Sequence, residues 1–397
     1  MENEKVWCLQ KDKNGLVKLT DSCANRFLSG LFSVLITVRL RLKIKKIKRK
    51  RKDLFRRIDS FSERAHVMLF KNLSPVVSKE WIRFYANVSG VSEYRYIPED
   101  IYYSCIERRL NDINMSKVVS DKCTYETRYP GISFPYCFLR NISGTFLDSR
   151  GQVIRVSRAR ELYDSIREDV VVKPSIESGG GKNISFLSIS EGLLVDTQKR
   201  AVSFDAVLER YRRNFVVQKK VRQHSFYASF HPASVNTLRV YTYRSVKDES
   251  VHILSAVLRI GRNGCCWDNQ GKGGICVGIN LEHGTLGIHA IDRSSGENFV
   301  AHPDTKVFFS GLHVPELKKV IACAEKIAAL TISQRILSLD IAVTESNEVL
   351  PIEINTSDMG INLLQLHGKP LFGDFTDEVI EYCRNHKDEF KYFRSKR

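Results

Sequence analysis

Apolar residues recur at three- and four-residue spacing through SERAHVMLFKNLSPVVSKEWIRFYANV, from Ser62, which predicts helices broken at Pro75. Tyr102 to Leu110 has the same periodicity. From Asp121 the texture changes: DKCTYETRYPGISFPYCFL carries two prolines and a glycine and reads as strand and turn. RARELYDSIRED then predicts a helix leading into the strand VVVKPS. From there to about Asn355, β-branched and aromatic runs separated by turns dominate, interrupted by a helix, PELKKVIACAEKIAAL, from Pro315. The tail DFTDEVIEYCRNHKDEFKYF closes as a helix, with Asp374 or Thr376 as cap. No repeat of fixed period is present. The pattern predicts an α+β fold with a largely antiparallel sheet.

Two runs near the end carry the most informative alternation. In ILSLDIAVT, Leu337, Leu339, Ile341 and Val343 share one face, while Ser338, Asp340, Ala342 and Thr344 share the other. In VLPIEIN, Leu350, Ile352 and Ile354 oppose Pro351, Glu353 and Asn355. A tight hairpin centred between Ser346 and Asn347 sets Asp340 directly opposite Glu353. Like charges across a ladder destabilise it, and a buried carboxylate is costly without a partner. A divalent cation between them reverses the sign. With Asn355 on the same face the three form a hard, all-oxygen set suited to Mg2+. The alternatives are a protonated carboxyl or a face turned to solvent. Pro351 bears on the register, since proline favours edges and bulges.

Charge changes the picture at the other end. The formal net charge is +17, and twelve Lys/Arg against one acid, Asp53, fall between Thr37 and Arg57. The rest of the chain is only mildly basic. Phe27 to Val38, just before the cationic block, is mainly apolar but short of the roughly 18 residues of a membrane-spanning helix, and no signal-peptide cleavage site accompanies it. An interfacial anchor on an anionic membrane surface is the expectation. A solvated tail or nucleic-acid patch is the alternative. Nucleic acid is disfavoured because no aromatic residue interrupts Arg39 to Lys52. The basic block places the remainder of the chain in the cytoplasm, peripheral to the inner face of the membrane. The ten cysteines never fall as Cys-x-x-Cys and are expected to be reduced and mostly buried.

Upstream of the hairpin, DVVVKPSIESGGGKNISFLSIS reads as strand, Gly-rich turn, strand. Ser178, Gly179, Gly180 and Gly181 let a backbone approach an anion, with Lys173 ending the first strand and Lys182 directly after the glycines. The spacing is not that of a Walker A loop, and the next element is a strand. A flexible surface turn is the plain alternative. NFVVQKKVRQH turns polar at Gln218, with Lys219 and Lys220 next. Arg239 lies in a strand of period two, and Arg259 and Asn269 flank Gly273 and Gly274. Arginine is a natural clamp for phosphate and for charge developing in phosphoryl transfer. His231, His302 and His313 lie at or near prolines and are expected to cap turns.

Lys173-Pro174 with its Gly-rich hairpin, the strand ending at Gln218, NTLRV and the D…EIN pair together resemble the ATP-grasp superfamily. The fuller pattern LRIGR…DNQGKGGI…LSLDIAVT…LPIEINTS…LLQLHGKPL is similar to its sugar-transfer-associated, glutamate-ligase-related branch, over about Asp121 to Cys383. The resemblance implies ATP between two α+β lobes: a lid subdomain at about 165–220 and a metal-site lobe at about 221–385, within an ATP-grasp region 121–397. A basic segment 1–57 and a helical region 58–120 precede it. Lys173, Ser178 to Lys182 and Asn269 would hold the nucleotide phosphates, Gln218 to Lys220 the adenine. Arg239 and Arg259 would face the transferred phosphate, and Asp340, Glu353 and Asn355 would hold one or two Mg2+. Relatives phosphorylate a carboxylate and pass the acyl group to an amine or similar nucleophile. The implied substrate is a small or glycan carboxylate and its amine, in polysaccharide synthesis. Departures fall at Asn183, where a small residue is usual, and at Gln218, where many relatives have an acid. A phosphotransferase acting on a hydroxyl shares the same ATP site, though no H-R-D loop or D-F-G is present. A binding protein acting through the basic arm is a third reading. Lys122 is placed on the substrate side.

Overall fold

The computed structural model describes residues 9–11, 17–19, 21–176, 183–266, 268 and 273–386. The chain forms two compact units, one from Met1–Asn114 with Gly368–Arg397 and one from Met115–His367.

In the first unit a short ribbon of β1 (Leu9–Lys11) and β2 (Val17–Leu19) precedes α1, Asp21–Lys50. One face of α1 buries Leu40 and Ile44. Arg41, Lys43 and Lys48 pair with Asp100 (2.9 Å), Glu99 (2.6 Å) and Glu80 (2.8 Å). The cationic helix is therefore built into this unit, and the domain boundary expected at residue 57 does not separate it from the helices beyond. Helix Lys79–Ser89 buries Trp81, Ile82, Phe84 and Tyr85 and ends at Gly90, whose φ of +74° suits glycine. The C-terminal helix Thr376–Asn385, expected to close the ATP-grasp region, belongs to this unit, burying Val379 and Cys383.

The second unit holds two seven-stranded antiparallel sheets. The first runs β5-β4-β3-β9-β6-β7-β8, with β3 Cys137–Ile142, β4 Thr145–Leu147, β5 Val153–Ile154, β6 Val170–Pro174, β7 Ser185–Ser190, β8 Leu193–Val195 and β9 Phe215–Lys219. The second runs β14-β13-β12-β11-β10-β15-β16, with β10 Leu238–Arg244, β11 Val251–Ile260, β12 Ile275–Asn280, β13 Thr285–Asp292, β14 Glu297–Phe299, β15 Ile336–Val343 and β16 Val349–Asn355. Helix Leu317–Leu330 packs Val320, Ala324, Ile327 and Ala328 into the core with Leu337, Leu339, Ile341 and Val343. That fixes the apolar face of β15 inward, and the alternate positions, Asp340 among them, lie on the other face.

Asp340 does pair with Glu353, but by a different route from a uniform hairpin. Near the turn the register is Val343 with Val349 and Ile341 with Pro351, one residue tighter than a centre between Ser346 and Asn347 gives. A bulge between Pro351 and Glu353 adds the missing residue. Proline cannot donate to the ladder, so the irregularity sits beside it.

Candidate active site on the carboxylate hairpin

β10, β15 and β16 are neighbours, and their registers align Arg239 with Asp340 and Asp340 with Glu353. The row crosses three strands at one level. Arg239 forks onto Asp340, Nε to Oδ1 at 2.7 Å and a terminal nitrogen to Oδ2 at 2.7 Å. Arg259, from β11, reaches Oδ2 at 2.6 Å. Asp340 thus accepts three charge-assisted hydrogen bonds, the strong class. Burial pushes its carboxyl up, but the two guanidinium groups outweigh burial and hold it well below the usual carboxylate range.

Arg259 is shared with a second buried acid, Asp268, at 3.1 Å. Asp268 also accepts from the backbone amide and hydroxyl of Thr237. Burial raises the Asp268 carboxyl despite Arg259. Gly274 makes this turn feasible: a Cβ there would stand 2.5 Å from the carbonyl oxygen of Asp268. The backbone approach expected at Gly273 and Gly274 is therefore made by the chain itself.

Glu353 receives Nζ of Lys122 at 2.8 Å. Burial raises the Glu353 carboxyl, and Lys122 more than offsets this, leaving it lowered. Lys122 is buried beside the Asp121 cap, which accepts from Cys123, and its backbone amide donates to Ser175. Tyr125 adds a strut, its hydroxyl accepting from Ile354 at 3.0 Å. Lys173, at the end of β6, carries its ammonium to the Ile352 carbonyl at 3.5 Å and so spans from one sheet to the other. Burial, and after it the charge of Lys122, brings Lys173 down to about 7. The amide nitrogen of Asn355 donates to Ser338 at 3.0 Å, which turns its oxygen the other way.

Asp340, Glu353, Asn355, Arg239, Arg259 and Lys173 are thus brought together, and the carboxylates already have partners in Arg239, Arg259 and Lys122. The buried acids of this hairpin do not need an external cation to fold. Four cationic side chains face three acidic ones, a balance that suits a polyphosphate. The oxygen set of Asp340, Glu353 and Asn355 fits Mg2+ entering with phosphate, since Mg2+ commonly takes one or two carboxylates and completes its shell with substrate oxygens.

Gln218 is buried in β9, paired with Val171 and Cys137, and does not line a cavity. Lys219 and Lys220 do: with Asp169, Ile189 and Arg222 they border a cleft of about 460 Å³. Lys219 pairs with Glu168, and Lys220 with Asp169 at 3.9 Å. Ser178, Gly179, Gly180, Gly181, Lys182 and Asn269 lie outside the described residues. His231 and His302 serve turns, as expected: His231 bonds Ser234 at 3.0 Å, and His302 bonds the Gly261 carbonyl at 2.8 Å and accepts from Asp304 and Thr305.

The description of sugar-transfer associated ATP-grasp proteins matches residues 104–378, well over half of the chain, and the protein belongs to that family. No curated protein matches. Among solved structures, an N5-carboxyaminoimidazole ribonucleotide synthetase in its ADP complex is similar at 13% identity and TM-score 0.36, over 64% of this chain and 51% of that one. The ATP-grasp ligase PsnB with its minimal precursor is similar at 13% and 0.37, over 69% and 64%. VanG D-Ala:D-Ser ligase from Enterococcus faecalis is similar at 11% and 0.39, over 69% and 63%. The chain spans between half and two thirds of the length of these relatives.

Proposed function

We propose that this protein is an ATP- and Mg2+-dependent ligase that activates a carboxylate as an acyl phosphate for attack by an amine or hydroxyl. Its setting in this reading is the modification of cell-surface glycans, on the cytoplasmic side of a membrane. The observation that carries the chemistry is the buried row Arg239–Asp340–Glu353, flanked by Arg259, Lys122 and Lys173. A substrate carboxylate oxygen attacks the γ-phosphorus while the bond to ADP breaks. The nucleophile then adds to the acyl carbon, and phosphate leaves.

Arg239 and Arg259 supply fixed positive charge where phosphoryl oxygens gather charge, at no cost of reorganising solvent. Lys122 and Lys173 are suited to the β- and γ-phosphates, and anionic phosphate would keep Lys173 protonated above its depressed value. Asp340, Glu353 and Asn355 would hold Mg2+, which when bound shields phosphate charge and orients the transferred group. Lys219 and Lys220 border the cleft in which adenine would sit.

The test is thermal unfolding with ATP, with and without Mg2+, on the wild type and on Glu353→Gln. Saturating nucleotide, at ~100 times its dissociation constant, should add about 2.7 kcal/mol to the folded state. A Mg2+-dependent rise lost in the variant supports the reading, and an undiminished rise in Glu353→Gln overturns the hairpin assignment. Hydroxylamine trapping separates the ligase from a phosphotransferase, because only an acyl phosphate yields a hydroxamate.

A further inference from the structure

The outward side of α1 carries a second pattern. Leu31, Val34, Leu35, Val38 and Leu42 are spaced three and four residues apart, and all five are 46% to 61% exposed. At 100° per residue they fall in one stripe. The same stripe continues through Lys45, Lys46 and Arg49, all exposed and, among the described residues, without an ion pair. Leu40, Ile44 and the hydrogen bond from Ser33 to the Ser104 carbonyl (3.1 Å) lie on the opposite side. With the ion pairs to Glu80, Glu99 and Asp100, they fix which side of the helix faces outward.

We infer that this stripe is a docking surface for an anionic lipid bilayer, on which α1 lies with its apolar half at the acyl boundary and its basic half among headgroups. Two observations select the occupant. The apolar row spans about three turns, so it buries a strip rather than the compact patch of a protein partner. It then passes without a break into unpaired positive charge, which complements lipid phosphate and serine or glycerol headgroups. A helix held along its other side by buried leucine, isoleucine and three ion pairs lies on the surface and does not thread it. Among the described residues no helix is long and apolar enough to cross a membrane. The inference deepens the membrane-side half of the proposed function and is independent of its chemistry.

The experiment is sedimentation of the full chain, without nucleotide, with vesicles of phosphatidylcholine alone and of phosphatidylcholine with phosphatidylglycerol. Binding is expected only with the anionic lipid. The triple variant Lys45→Gln, Lys46→Gln, Arg49→Gln should bind about a hundredfold more weakly. Leu35→Ser with Leu42→Ser should also weaken binding, with all charges kept. Leu35→Trp should add emission that shifts to the blue with anionic vesicles and stays unchanged with duplex RNA. Equal sedimentation of wild type and triple variant overturns the proposal. So does a blue shift on RNA with none on vesicles, or an apolar double variant that converts a dimer to a monomer and leaves vesicle binding intact. Because nucleotide is absent throughout, failure here says nothing against the hairpin chemistry, and failure of the thermal-shift test says nothing against this surface.

Discussion

The same two residue types, lysine and arginine, meet opposite fates around the carboxylate hairpin and along α1. At the hairpin they are buried and matched: Arg239 and Arg259 on Asp340, Lys122 on Glu353. On the outward stripe of α1, Lys45, Lys46 and Arg49 are solvated and unmatched. Burial makes each charge at the hairpin depend on its neighbours, because removing one partner strands the other in a poorly solvated place. Exposure makes each charge on α1 nearly independent of the fold and available to something outside it. A count of charges along the sequence weights both regions alike and points first to α1. The surroundings invert that order for stability and leave it standing for surface binding.

The sharpest way to break this comparison is Asp340→Ala. It leaves Arg239 and Arg259 facing each other's charge in a buried site, and it should cost about 3–5 kcal/mol in urea unfolding. A loss below ~1 kcal/mol would mean that the guanidinium groups escape to water and that the site is wetter than its burial implies.

Lys173 provides the next test, by pH. Its folded value of about 7 lies below the ordinary 10.5, because burial disfavours its charge. Between those two values the unfolded chain binds more protons, so this group makes stability rise with pH across the window and adds no slope outside it. The slope should be at most about 1.4 kcal/mol per pH unit. Lys173→Met should flatten it when unfolding midpoints are compared across the window. An unchanged slope in the variant would assign the pH dependence to other groups.

The hairpin was legible in the sequence because strand alternation has a period of two and like charges opposite each other demand an explanation. Its register reached the right pair through two offsetting departures, a turn one residue tighter and a bulge beside Pro351. What the sequence did not show was the local partner. Lys122 meets Glu353 across 231 residues, and no local pattern links them. A lysine set next to the cap Asp121 in an otherwise apolar stretch was the available signal. Asp268 was overshadowed by its neighbour Asn269, although the adjoining Gly273-Gly274 pair did mark a tight approach. In α1 the apolar residues fall on two opposite faces, one for the core and one outward, so no single stripe stands out until packing removes Leu40 and Ile44 from view.

The smallest expected effect is the one that completes the comparison. Lys45→Gln with Lys46→Gln should change the unfolding free energy by less than about 0.5 kcal/mol, the usual range for surface substitutions away from caps and buried pairs. Neither lysine holds an ion pair among the described residues, so nothing is stranded by its loss. Removing like charges from a strongly basic helix relieves some repulsion, and any shift should therefore be slightly stabilising at low salt and vanish as salt screens it. A destabilisation of more than ~1 kcal/mol would show that these side chains are held by the fold after all. The cations of α1 would then resemble those of the hairpin, and the stripe would lose its claim to be free for a lipid surface.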